Sequence, residues 1–221
     1  MTSLYQLKPR FQQVLRPYAD QLASRGIAPN HVTLAALLLS CLGGLLVVLF
    51  PDASGPLVIL GLIQPVRMAL NAIDGMIARA HAQETANGRL LNEIADVASD
   101  MVLYLPLVLV PEFSPFLVAL AVIMAVLTEV AGLAAVSVGA SRRHDGPMGK
   151  SDRALAIGAL ALLAGLGILP AVLINLALCL IVGLAFLTVI HRVNGALEEH
   201  AVREEEKSNP PKPPIRPPPA S

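Results

Sequence analysis

The stretch Arg67-Met68-Ala69-Leu70-Asn71-Ala72-Ile73-Asp74-Gly75-Met76-Ile77-Ala78-Arg79, followed after eight residues by Gly88-Arg89-Leu90-Leu91-Asn92-Glu93-Ile94-Ala95-Asp96-Val97-Ala98-Ser99-Asp100, decides the fold. Its apolar residues belong to two blocks, 56–77 and 90–110, each close to the roughly 20 residues that carry a helix across about 30 Å of hydrocarbon. Set into these blocks are seven polar or charged side chains: Arg67, Asn71, Asp74, Asn92, Glu93, Asp96 and Asp100. Arg67, Asn71 and Asp74 follow i, i+4, i+7 and share one helical face. Asn92, Asp96 and Asp100 follow i, i+4, i+8 on another, with Glu93 on its flank. At 1.5 Å of rise per residue, Asn71 and Asp96 each lie about 12 Å from the membrane surface, and Arg67 and Asp100 about 18 Å. Packed as an antiparallel hairpin, the two helices would bring these clusters to common levels. Polar contacts between helices account for one such pair but poorly for seven residues at two matched depths. Charges at this depth mark a functional site, and converging oxygen ligands suit a hard divalent cation such as Mg²⁺.

Working outward, the rest of the chain is built for a bilayer. Of its 221 residues 55% are hydrophobic and 14% charged, against roughly 25% charged in an ordinary soluble domain. Further apolar blocks at 32–50, 116–140, 154–169 (extendable back to Ser151) and 171–190 raise the expected number of transmembrane helices to six. The first block follows a polar lead-in and has no cleavage pattern after it, which excludes a cleavable signal peptide. Cys41 and Cys179 fall inside apolar blocks and read as inert thiols. Lys8, Arg10, Arg16, Arg25, Arg79, Arg89, Arg142, Arg143, Lys150, Arg153 and Arg192 fall on one side, while the turns at 51–55, 111–115 and around Pro170 have no Lys or Arg. The positive-inside rule then puts both termini in the cytoplasm, in what reads as a bacterial inner membrane. The N-terminal segment spaces Leu4, Leu7, Phe11, Val14 and Leu15 along one face, as in an interfacial helix. Three parts are therefore expected: 1–31 as interfacial helix and lead-in, 32–193 as the six-helix domain, and 194–221 as a disordered, proline-rich tail. The zero net charge gives no sign of nucleic-acid binding.

The spacing Asn71-x2-Asp74-Gly75-x2-Ala78-Arg79-x8-Gly88-x3-Asn92-x3-Asp96 resembles the signature of the CDP-alcohol phosphotransferase family, D-x2-D-G-x2-A-R-x8-G-x3-D-x3-D. Every gap agrees, and six of eight positions agree in identity. The segment 26–33, Gly-Ile-Ala-Pro-Asn-His-Val-Thr, resembles the family's approach to its first span. The resemblance implies attack by an alcohol on the β-phosphoryl group of a CDP-linked lipid, with release of CMP and a Mg²⁺ (or Mn²⁺) requirement. It implies metal ligands at Asn71, Asp74, Asn92 and Asp96, with Asp96 also the general base. It implies a CDP-lipid surface at Asp74, Gly75, Ala78, Arg79 and Gly88, and a homodimer. Gly75 and Gly88 would let a nucleotide approach the helix backbone, and Arg79 offers a forked phosphate grip.

This sequence departs from the signature at Asn71 and Asn92, where the family has Asp. Each Asn keeps a carbonyl oxygen but brings no charge, so a cation should be held more weakly. Glu93 and Asp100 are candidate additional ligands, or Asp100 pairs with Arg67. Lys150 and Arg153 either bind a phosphate on the acceptor alcohol or anchor the helix at the inner surface. Glu129, also buried by span count, orients a ligand or pairs with Arg142 or Arg67, and His191 reads as interfacial. A scaffold that keeps the fold without the chemistry is the second class of reading, and an ion-coupled transporter is the third. No repeated half or matched pair of broken spans supports the transporter.

Overall fold

The computed structural model describes residues 7–80 and 84–208. Seven α-helices follow in order: α1 (Leu7–Ser24), α2 (Pro29–Leu49), α3 (Ser54–Ala80), α4 (Ala86–Tyr104), α5 (Pro115–Ala134), α6 (Lys150–Gly165) and α7 (Ala171–Ser208). Short 3₁₀ segments extend α4 over Leu105–Leu109 and α5 over Ala135–Val138, and no strand occurs among the described residues. The boundaries have local causes. Pro29 and Pro115 open α2 and α5, where a missing N–H is harmless. Thr85 caps α4 by accepting a hydrogen bond from Gly88 N at 3.0 Å. Gly139, at φ +79°, turns the chain out of the segment that follows α5.

Among the described residues, four helices are long and apolar enough to cross a membrane: α2, α3, α5 with its 3₁₀ extension, and α7. The chain is thus an all-helical integral membrane protein. Of the six blocks read from sequence, two fall short of this measure. The helix in block 90–110 starts earlier, at Ala86, and carries Arg89, Glu93, Asp96 and Asp100, which lower its apolar character. The helix in block 154–169 occupies Lys150–Gly165, because the turn at Gly167 (φ +67°) stops it. The largest correction is at the C-terminus: α7 is one helix of 38 residues, so 194–208 are helical instead of disordered. Residues 209–221, with the whole proline tract, lie outside the described residues, as do Leu4 and the rest of 1–6.

Side-chain size controls how the helices meet. A Cβ on Gly61 would lie 2.8 Å from the Gly158 carbonyl oxygen, and one on Gly158 2.8 Å from Gln64 Cβ, so α3 and α6 touch backbone to backbone. Gly44 sits against the Val102 carbonyl in the same way and brings α2 onto α4. Around these contacts Leu60, Leu103, Leu107, Ile157, Ile174 and Leu178 form one core drawn from α3, α4, α6, α7 and the 3₁₀ segment after α4. A second cluster seats α1 on the ends of α2 and α3 through Leu15, Ala19, Val32, Ile73 and Ile77. Phe11 and Val14, expected on the same face as Leu15, are exposed.

The expected hairpin of the second and third spans also needs correction. Helices α3 and α4 run antiparallel, but each packs on α2, with α6 completing the α3 side and α5 the α4 side. Direct α3–α4 backbone contact is slight, and the space between them is spanned by long polar side chains.

Gly158→Ala is expected to force α3 from α6 and lower the thermal midpoint in detergent, since overpacking typically costs about 1–3 kcal/mol. Gly183→Ala, whose Cβ would meet nothing within 4 Å, is the control and should leave the midpoint unchanged.

Candidate active site

The two depth-matched pairs form across the gap between α3 and α4. Asn71 Nδ2 donates to Asp96 Oδ1 at 2.7 Å, and one turn deeper Arg67 Nη2 donates to Asp100 Oδ1 at 2.5 Å. The deeper pair is the centre of a buried charge network. Arg153 grips Asp100 Oδ2 in a fork, Nε at 3.1 Å and Nη2 at 2.7 Å, and the Tyr104 hydroxyl donates to Oδ1 at 3.2 Å. Arg67 and Arg153 are each 1% exposed, and Asp100 3%. Glu129 of α5 forms the second node, with Arg142 and Arg153 each at 3.5 Å and Arg192 at 3.6 Å. Thr128 completes it, its hydroxyl accepting from Arg153 Nη1 at 2.8 Å and its carbonyl from Arg192.

These contacts sort the candidate residues. Asp100 lies between two guanidiniums, which decides for the pair with Arg67. Glu93 pairs with Arg142, which also meets Glu129 as one of the two sequence alternatives had it. Arg153 is buried in the network and not at the open cytoplasmic surface expected of a phosphate anchor. Lys150, at the first residue of α6, remains near the surface and pairs with Asp96 Oδ2.

Asp74 and Asp96 are left to form the upper layer, facing across the gap with Asn71 and Asn92. Thr33 of α2 donates to Asp74 Oδ2 at 2.8 Å and fixes that carboxylate from a third helix. Asn92 Oδ1 is buried without a hydrogen-bond partner, an orphaned acceptor of the kind a cation or water satisfies. Among the described residues no group of three or more His, Cys, Asp or Glu is placed to hold a metal. A divalent cation here would therefore rest on two carboxylates and amide oxygens. That all-oxygen donor set suits a hard ion at reduced charge.

Toward the surface, Arg79 lies over Gly75: a Cβ on Gly75 would stand 3.4 Å from both terminal nitrogens of its guanidinium. A cleft of about 380 Å³ opens beside Arg79, between α1 and the end of α3, and Arg16 also lines it. Across the gap, a Cβ on Gly88 would come within 3.0 Å of Asn30 Oδ1, so the glycine admits the start of α2. Sequence reading missed Thr33, Thr128, Tyr104 and Arg192 as partners. Thr33 was within reach because it closes segment 26–33. Nothing in the local spacing of the other three signals a tertiary partner.

Residues 26–190 match the family described as CDP-alcohol phosphatidyltransferase. The inner membrane protein YnbA of Escherichia coli (strain K12) is 48% identical over 158 residues, covering 71% of this chain and 77% of that protein. The fold is shared with phosphatidylinositol phosphate synthase (PgsA1) of Mycobacterium tuberculosis. Its structure with CDP-DAG bound has a TM-score of 0.69 at 20% identity, over 83% of this chain and 94% of that one. Its structure with manganese and citrate gives the same TM-score and identity over 83% and 88%.

Asp100→Asn is expected to destabilise the protein by about 3–5 kcal/mol, because two buried guanidiniums lose their shared anion. Denaturant unfolding in detergent measures this, and Asp96→Asn, at the mouth of the gap, should cost far less.

Proposed function

The chain belongs to the CDP-alcohol phosphatidyltransferase family, which makes it a phosphotransferase, and on that premise we propose that it transfers a substituted phosphate from a CDP-linked lipid to an alcohol, with release of CMP. The observation that supports the reading is the placement of two buried carboxylates, Asp74 on α3 and Asp96 on α4, beside Asn71 and Asn92 and below Gly75, Arg79 and Gly88. The structures of PgsA1 with CDP-DAG and with manganese support a divalent ion and a CDP-diacylglycerol-like donor here as well.

In this reading Asp74, Asp96 and the amide oxygens of Asn71 and Asn92 hold the ion, Mg²⁺ or Mn²⁺. Glu93 and Asp100 stand outside that set, engaged by arginines. The ion, when bound, neutralises the diphosphate and the charge that develops on departing CMP. Arg79 binds the diphosphate while Gly75 and Ala78 leave room for it along α3, and Gly88 lets Asn30 and the start of α2 close in beside it. Asp96 accepts the proton of the incoming hydroxyl, whose oxygen forms the new bond to the β-phosphorus as the bond to CMP breaks. Lys150 stands beside Asp96 with a positive charge on the acceptor's side, which suits an alcohol bearing an anionic group. Arg153 acts behind it, through Asp100.

The same reading carries α2 to α7 across the bilayer as six spans, with both termini cytoplasmic. Helix α1 lies on the inner leaflet of a bacterial inner membrane, residues 32–193 form the catalytic domain, and a second copy is the partner.

CMP release by the purified protein in lipid tests the reading, with CDP-diacylglycerol, Mg²⁺ or Mn²⁺ and a panel of alcohols. Release should cease on chelation and fall roughly 10²–10⁴-fold in Asp96→Asn, the range of a lost general base. Absence of release with every acceptor would overturn the assignment, and full activity in Asp96→Asn would remove the base role.

A further inference from the structure

The loop joining α5 to α6 brings two basic residues to the gap, Arg142 onto Glu93 of α4 and Lys150 onto Asp96. The loop has no secondary structure of its own over 140–145, so its course is set by what holds it. Arg143 N donates to the Gly132 carbonyl of α5 at 3.2 Å, and α7 supplies a further set of contacts. Thr188 Oγ1 accepts from Met148 N at 2.8 Å, and Arg192 Nε donates to the Asp145 carbonyl at 3.2 Å. Further along, Glu199 takes Ser141 at two points: Oε1 accepts from Ser141 N at 2.9 Å and Oε2 from Ser141 Oγ at 2.7 Å. Arg143 Nη1 reaches the same carboxylate at 3.3 Å. Arg203 Nη2 donates to Glu199 Oε1 at 2.6 Å and its other nitrogen binds the Gly139 carbonyl, which locks the carboxylate to the turn where the loop begins.

A carboxylate with both oxygens committed to one serine, braced by two arginines, is unlike a solvated surface charge. Each contact adds direction as well as energy, since Ser141 is the residue before Arg142. Close packing fixes the same geometry, because a side chain at Gly195 would collide with the Arg143 guanidinium. Glu199 and Arg203 both lie beyond residue 190, where the family match ends.

We propose that Glu199 is a positioning residue for phosphotransfer: it clamps Ser141 and Arg143 so that Arg142 meets Glu93, and the loop arrives at Lys150 in register with Asp96. The catalytic consequence rests on the function proposed above, whereas the clamp itself can be tested without activity. Arg142 and Arg143 are trypsin sites inside the clamped segment. In the full chain reconstituted in lipid, cleavage after them should be slow. It should quicken on the order of tenfold in Glu199→Ala, as local opening becomes easier. Glu199→Gln, which keeps an oxygen for Ser141, should fall between, and Glu198→Ala, at the exposed neighbouring position, should match the wild type. In the CMP-release assay Glu199→Ala should raise KM for the acceptor on the order of tenfold, as expected for a displaced positioning group. KM for the CDP-lipid and the thermal midpoint should be unchanged, with partial rescue in Glu199→Gln. Wild-type cleavage rates in Glu199→Ala overturn the proposal whether or not CMP is released. A lowered midpoint with both KM values and kcat altered together also overturns it, by reducing Glu199 to a stabilising contact. A wild type that releases no CMP counts against the phosphotransfer reading alone.

Discussion

A carboxylate buried at mid-depth in a membrane protein needs countercharge, and Asp100 has it from Arg67 on α3 and Arg153 on α6. An unpaired charge at the centre of a bilayer costs at least about 2.5–3.5 kcal/mol on insertion scales, so three helices cannot rotate or slide independently without exposing one. The shared Arg153 joins this node to Glu129, and through Arg192 and Arg142 the constraint reaches α7 and the α5–α6 loop. Gly44, Gly61 and Gly158 allow the helices to come close, while the charge network determines the depth at which they meet.

That division explains how α3 and α4 face each other through polar side chains while each packs on α2. Both lean on α2 and are braced from below by Asp100. Toward the Arg79 end of α3 they carry Asp74 and Asp96, with Thr33 and Asn71 setting carboxylate orientation. Exchanging two carboxylates for Asn71 and Asn92 lowers the negative charge of this layer. Lys150 lowers it further by its pair with Asp96. The layer is therefore nearer to neutral than one with four carboxylates.

Much of this was readable from spacing alone. The i, i+4 periodicity around Asn71 and Asp96, with rise per residue, gave both cross-gap pairs, because helix geometry converts sequence distance into depth. The splayed arrangement was not readable, since hydropathy reports that two helices are apolar and not which neighbour each packs on. Arg153 was misplaced for a related reason. A basic residue near a helix start reads as a surface anchor, and only the tertiary position of Asp100 and Glu129 draws it inward. The end of α7 was missed because Glu204-Glu205-Glu206 and the following prolines suggest disorder. Yet Glu199 and Arg203 tie that helix to the loop through contacts about 60 residues apart in sequence.

The most direct measurement is a structure of the reconstituted protein with CDP-diacylglycerol and Mn²⁺, with manganese located by its anomalous scattering. The expected result is a manganese peak between Asp74 and Asp96, with the diphosphate beside Arg79 and the Arg67–Asp100–Arg153 brace unchanged. Manganese absent from the gap, or a CDP-lipid seated away from α3 and α4, would contradict the assignment of this layer as the phosphotransfer site.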